Sequence, residues 1–188
     1  MSTRRERLRK AEKLLRQGRL EPAIAEYVVL IEEEPTDWAT TNALGDLYVR
    51  AKQVDQAVGQ YTRIADHFWK EGFFPKAAAL YKKILKVKPT DEPSLMRVGD
   101  ISAQQGKLVD AKAAFTAIIA LRRKRGDANA ANEVVVRLGA LDPQDLGARR
   151  AAAQARSSWV GCRRPSRQWA SSRRISARRG RPLIQSRC

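Results

Sequence analysis

The chain has 188 residues but only two cysteines, Cys162 and Cys188, and one histidine, His67. Both cysteines fall in the last 27 residues, so no disulfide framework and no metal-ligand spacing can be read from them. With no cysteine in the body and a single histidine, neither a histidine-centred nucleophile nor a metal cluster can be assembled, and carboxylates form no identifiable pair. No enzyme, no metal and no cofactor is therefore expected. No window approaches 18 apolar residues, which excludes a membrane-spanning helix. The basic start, Arg4-Arg5-Glu6-Arg7, is followed by no apolar run and does not read as an export signal. A reduced, cytoplasmic protein is the expectation. Acidic residues also run out: the last is Asp145.

That last absence divides the charge unevenly. There are 37 Lys and Arg against 20 Asp and Glu, a net of +17. Residues 149–188 hold 12 Arg, no Lys and no acid, which leaves 25 basic and 20 acidic residues, or +5, for the rest. The body is only mildly basic. The tail is rich in Arg, Ser, Gly and Pro, with Trp159 and Trp169 and no periodicity. Such a composition cannot bury enough apolar area to offset its ordering entropy, so residues 157–188 are expected to be disordered. Three readings of the tail stand side by side. It is a plain solvated tail, or an arginine arm that binds RNA or DNA with its tryptophans stacking on bases. Alternatively it is a frame-shifted, non-native continuation, because the change to GC-rich codon types falls part-way through a helix.

What the body does contain is a repeat. Residues 37–89 recur 54 positions later with ten identities, where composition alone gives about three. Gly45 maps to Gly99, Asp46 to Asp100, Ala57 to Ala111, Gly72 to Gly126, Ala77 to Ala131 and Pro89 to Pro143. Gly18, Ala23, Tyr27 and Pro35 stand 54 residues before Gly72, Ala77, Tyr81 and Pro89. A fixed period of this kind signals stacked supersecondary units.

Apolar spacing and breakers predict helices over 4–17, 20–34, 37–51, 54–71, 74–87, 91–105, 108–125, 127–141 and 143–156. Gly18, Gly72 and Gly126 end helices, Pro35, Pro89 and Pro143 stop others, and Asp37, Asp91 and Asp127 stand at helix starts. Gly45, Gly99, Ala57 and Ala111 are small where helices should cross closely. Tyr48, Tyr61, Phe68, Tyr81 and Phe115 would fill the space beside them.

These motifs resemble the tetratricopeptide repeat. Thr41-x2-Leu44-Gly45-x2-Tyr48 leads to Ala57-x3-Tyr61, and Leu95-x2-Val98-Gly99-x2-Ser102 leads to Ala111-x3-Phe115. Ala23-x3-Tyr27, Ala77-x3-Tyr81 and Ala131-x3-Val135 repeat the second half of the pattern, each closed by its proline. The resemblance covers roughly residues 4–143. It implies an all-α protein, a right-handed α-solenoid of antiparallel helix hairpins over residues 1–156. The 54-residue step departs from the family's 34. It requires helix 54–71 to close one pair at Ala57/Tyr61 and open the next at Ala65/Phe68, with helix 108–125 doing the same.

In that family the first helix of each pair lines a concave binding surface, so the resemblance implies a non-enzymatic scaffold or adaptor that holds a partner protein or peptide there. The inner positions are then Glu12, Leu15, Arg16, Asn42, Asp46, Val49, Arg50, Asp66, Trp69, Lys70, Met96, Asp100, Arg123 and Lys124. Glu12/Arg16, Asp46/Arg50 and Asp66/Lys70 read equally as ordinary i,i+4 helix pairs, worth about 0.2–0.5 kcal/mol each. The Lys and Asn carboxylate clamp of some family members is missing: Leu8 and Glu12 stand at two of its places. Glu32-Glu33-Glu34 reads as a solvated face or an acidic docking patch, and Lys82, Lys83, Lys86 and Lys88 as cations suited to a helix C-terminus. The alternative function is nucleic-acid binding through residues 149–188. Self-association through an uncapped last repeat is a further expectation.

Overall fold

The structure, a computed structural model, describes residues 3–162. Among these residues there are nine helices and no strand: α1 Arg4–Arg16, α2 Leu20–Glu33, α3 Trp38–Arg50, α4 Val54–Lys70, α5 Phe74–Val87, α6 Glu92–Gln104, α7 Leu108–Lys124, α8 Ala128–Leu141 and α9 Leu146–Cys162. The chain divides into two compact units, Met1–Gly126 with α1–α7 and Asp127–Cys188 with α8 and α9. Within the first, each helix packs on the next as an antiparallel hairpin, and within the second α8 packs on α9. Within each unit this is the all-α packing of successive helix hairpins that the repeat implies.

The helix ends follow from residue chemistry. Asp37, Asp91 and Asp127 each accept the amide N–H three residues on, from Thr40 at 3.0 Å, Ser94 at 3.1 Å and Ala130 at 3.2 Å. These are N-caps that satisfy donors the helix itself cannot. Gly18, with φ +73°, lets the chain turn through the left-handed region, so that its own N–H reaches Leu15 O and the Arg19 N–H reaches Leu14 O. That pair of bonds is the Schellman closure of a helix. Gly72 and Gly106 repeat it, while the place of Gly106 in the preceding unit is taken by Lys52 at φ +59°.

Helix α4 carries the irregular step. It is 17 residues long where α3 and α5 are 13 and 14. It packs against both of them. Ala57, Tyr61, Ile64 and Ala65 are all buried along it, and Ala57, Tyr61 and Ala65 share one cluster with Ala77, Tyr81 and Ile84 of α5 and Val98 and Ile101 of α6. One helix thus closes the pair with α3 and opens the pair with α5.

The expected end of the last helix at Arg156 is exceeded. α9 runs to Cys162. No glycine or proline interrupts residues 149–160, and the Ser157 and Ser158 hydroxyls bond back to the carbonyls of Gln154 at 2.8 Å and Ala155 at 2.7 Å, so nothing local stops the helix. Residues 157–162 of the segment expected to be disordered therefore belong to α9, and the rest of that expectation, residues 163–188, lies outside the described residues.

Close approach at Gly45 is what positions α3 on α4. A Cβ there would sit 2.9 Å from Tyr61 Cδ1 and closer still to Cε1, and at Gly99 a Cβ would sit 2.9 Å from Phe115 Cε1. Gly59, exposed in mid-α4, has open space around it. We therefore expect Gly45→Ala to lower stability by about 1–3 kcal/mol through overpacking. Gly59→Ala should raise it by about 0.5–1 kcal/mol by restricting the unfolded chain. Urea unfolding midpoints of the two variants check the opposite signs.

Candidate functional site: recurrent acid, tyrosine and cation clusters

The close crossings place an acid beside each aromatic ring. Where the Tyr61 ring lies over Gly45, its hydroxyl reaches the next residue and donates to Asp46 Oδ1 at 2.5 Å. Tyr81 does the same one helix later, donating to Asp66 Oδ1 at 2.5 Å, with the small residue Ala65 buried before it. The pattern is a buried small residue, then an acid, then an aromatic 15 residues after the acid. It reads Ala11-Glu12…Tyr27, Gly45-Asp46…Tyr61, Ala65-Asp66…Tyr81 and Gly99-Asp100…Phe115. α4 contributes both a tyrosine from one cluster and an acid from the next. A buried phenol needs a partner for its O–H, and an ionised carboxylate is the strongest acceptor available.

A cation from the following helix closes each of the two central clusters. Lys83 of α5 reaches across α4 to α3: its Nζ lies 2.5 Å from Asp46 Oδ1 and donates to Asn42 Oδ1 at 2.9 Å. It also sits 4.4 Å from the centroid of the Tyr61 ring. Arg97 of α6 lies against the Tyr81 hydroxyl, and its guanidinium stacks 4.8 Å from the Trp69 ring centroid. Trp69 in turn meets Phe74 edge-on at 5.2 Å. Acid, tyrosine and cation therefore come from three successive helices, α3–α4–α5 and then α4–α5–α6.

Burial first, and then the hydrogen bond and charge of the neighbouring aspartate, push both phenols well above their ordinary value of 10.0. Tyr27 and Tyr48 are raised less, by burial and then by Glu12 and Glu21 respectively. Charge pairs elsewhere tie neighbouring helices. Arg7 of α1 bonds Glu26 at 3.1 Å and forms an ion pair with Glu33 at 3.4 Å, and Arg4 pairs with Glu34 at 3.3 Å and bonds Asp37 and the Leu30 carbonyl. Two members of the Glu32–Glu34 run are thus engaged by α1.

Of the expected site residues, Asn42 and Asp46 meet at Lys83, and Asp66 and Trp69 meet through Arg97 and Tyr81. Glu12 and Arg16 are exposed on α1. Arg50, Lys70 and Lys124 are the exposed last residues of α3, α4 and α7, and Asp100 is half-buried on α6. Trp69 is half-buried and packed rather than free. Lys83 and Arg97 were not among the expected residues. Lys82 and Lys88, read as helix-end cations, reach Asp110 at 3.3 Å and Asp55 at 2.8 Å. The 15-residue acid-to-tyrosine spacing was the available signal; the cations, 37 and 31 residues beyond their acids, leave none. Among the described residues no cluster of His, Cys, Asp or Glu is arranged to hold a metal, and no helix is long and apolar enough to cross a membrane.

The raised phenols set a pH dependence. Below pH 10 both folded and unfolded tyrosines are protonated and the stabilisation is complete. Above it the unfolded chain loses protons first, so stability falls as pH rises toward the folded-state values. The double variant Tyr61→Phe, Tyr81→Phe should be less stable at pH 7 by about 1–2 kcal/mol per lost hydrogen bond. It should also lose stability less steeply above pH 10, as measured by denaturant titration across pH 7–11.

The family model described as Tetratricopeptide repeat matches residues 8–66 and again residues 62–130. The two matched stretches overlap at 62–66, inside α4, which is the helix shared by two pairs. Similar solved structures include the nearly identical TPR-like repeats of a protein described as a kinesin light chain from Podosopora anserina. It is 15% identical, with a TM-score of 0.49, over 88% of this chain and 100% of that one. MamA is 14% identical with a TM-score of 0.43 over 77% and 89%. A thermophilic TPR protein of Thermus thermophilus is 18% identical with a TM-score of 0.30 over 81% and 98%. No curated protein sequence matches the chain. The matched stretches and the motif residues, rather than these distant neighbours, carry the conclusion that the chain belongs to the tetratricopeptide repeat family.

Proposed function

We infer that this protein is a non-enzymatic scaffold that holds a partner protein or peptide against the faces of α3, α4 and α6. The observation that carries this is the cross-helix clustering of Asn42, Asp46 and Lys83, and of Asp66, Trp69 and Arg97. These groups hold each other in place, so polar donors and acceptors are presented without the rotamer entropy that free side chains would lose on binding. Exposed Arg50 and Lys70 stand at the ends of α3 and α4 beside them and supply charge for orientation and encounter. Membership of a family built to display helix faces supports the same reading.

The test is affinity capture from host lysate with the full-length protein and the Arg50→Glu, Lys70→Glu variant, identifying bound protein and nucleic acid in each. Both substitutions lie on exposed helix ends, so the variant should fold normally by circular dichroism. A defined protein retained by the wild type and lost by the variant is the expected result. An unchanged set of proteins, or nucleic acid alone, would overturn the proposal.

A further inference from the structure

Two copies of the repeat differ where their helices should be most alike. In the first copy, Ile24 and Val28 of α2 and Tyr48 and Ala51 of α3 pack into one apolar cluster, and Glu21 is bridged to Gln53 by a hydrogen bond of 3.3 Å. Stepping 54 residues, Ile24 becomes Ala78, Val28 becomes Lys82, Tyr48 becomes Ser102, Ala51 becomes Gln105 and Gln53 becomes Lys107. Three bulky apolar side chains are thus lost from the second copy, among them the tyrosine of the repeat motif. An open cavity of about 620 Å³ lies between α5 and α6, with Ala78 and Ala79 along it, the nearly buried Ser102, 5% exposed, at its base, and Lys82, Gln105 and Lys107 around it. Its size is in the range of pockets that take a small ligand or one large side chain, about 300–1,000 Å³.

Its chemistry is one-sided. No acidic residue lines it, while two lysines do. Lys82 is held by Asp110 only at 3.3 Å, with both side chains about half exposed, a surface pair that an incoming carboxylate can replace. None of the lining residues belongs to the Asp46 or Asp66 clusters, so this site stands apart from the face assigned above.

We propose that the Ser102 cavity is a second docking site, for an acidic peptide segment that inserts an aromatic side chain where the first repeat carries Tyr48. The aromatic ring fills the space over Ser102 and the alanines. Carboxylates on either side of it meet Lys82 and Lys107. The chain's own arginine-rich residues 149–188 do not fit this description, because they carry no acid to meet the two lysines.

The test uses the full-length protein and a fluorescein-labelled acidic peptide with one central phenylalanine, compared with the same peptide carrying alanine there. Fluorescence anisotropy should show the phenylalanine peptide binding at least about tenfold more tightly, the size expected of a buried aromatic anchor. Ser102→Tyr should fill the cavity from within, raise the melting temperature and abolish that preference. Lys82→Glu with Lys107→Glu should weaken the phenylalanine peptide by about tenfold or more while the circular dichroism spectrum is unchanged. Arg50→Glu with Lys70→Glu should leave it unaffected, which separates this site from the scaffold face. Equal binding of both peptides would mean attraction to the basic chain as a whole. That result, or a Ser102→Tyr protein that is folded and still prefers phenylalanine, would overturn the proposal.

Discussion

Helix α4 has to bury two faces at once. Its N-terminal half packs Ala57 and Tyr61 against α3, and its C-terminal half offers Ala65 and Phe68 to α5. A helix in an ordinary hairpin repeat buries one stripe per pair, and its length can vary freely beyond that stripe. Here the two stripes are in series, and the helix is 17 residues long, as α7 is. The acid-to-tyrosine bonds follow from the same arrangement. Each ring must lie over a small residue to let the helices meet, and the next side chain is then within reach of the phenol. The cations that reach over α4 and α5 bind nonadjacent helices into the same clusters. A change at one crossing is therefore felt at the next, because α4 belongs to both.

The same geometry bears on function. On the proposed reading, side chains that are already hydrogen-bonded to one another across three helices offer a partner a preorganised set of polar groups. The tyrosines, held protonated by burial and by their aspartates, are the reverse of activated groups. Where the repeat is imperfect, at Ser102, an open cavity lies between α5 and α6.

Much of the fold was legible in the sequence because its determinants are local. Gly18 and Gly72 end helices through a left-handed turn, Asp37 and Asp91 cap their own helix starts, and the 54-residue period shows at once that the units stack. The sharing of α4 was also legible, since Ala57/Tyr61 and Ala65/Phe68 lie on one uninterrupted helical stretch. The end of α9 was not, because a shift toward Arg and Ser lowers burial without forbidding helix, and Ser157 and Ser158 find carbonyls within the helix itself. At the site, Asn42, Asp46, Asp66 and Trp69 could be placed by repeat position. Lys83 and Arg97 could not. Their partners are distant in sequence, and the i,i+4 rule pointed to Arg50 and Lys70 instead. The cavity left only an indirect trace, the serine in the place of a tyrosine.

The claim that α4 couples two helix pairs is tested most directly by native-state amide hydrogen exchange on the wild type and Gly45→Ala. The substitution sits in α3, and the three atoms nearest to its added Cβ all belong to Tyr61 of α4. If α4 is shared, protection should fall across α3, α4 and α5 together, by a common free energy close to the loss in global stability. Loss of protection confined to α3 and the first half of α4, with α5 unchanged, would contradict the account.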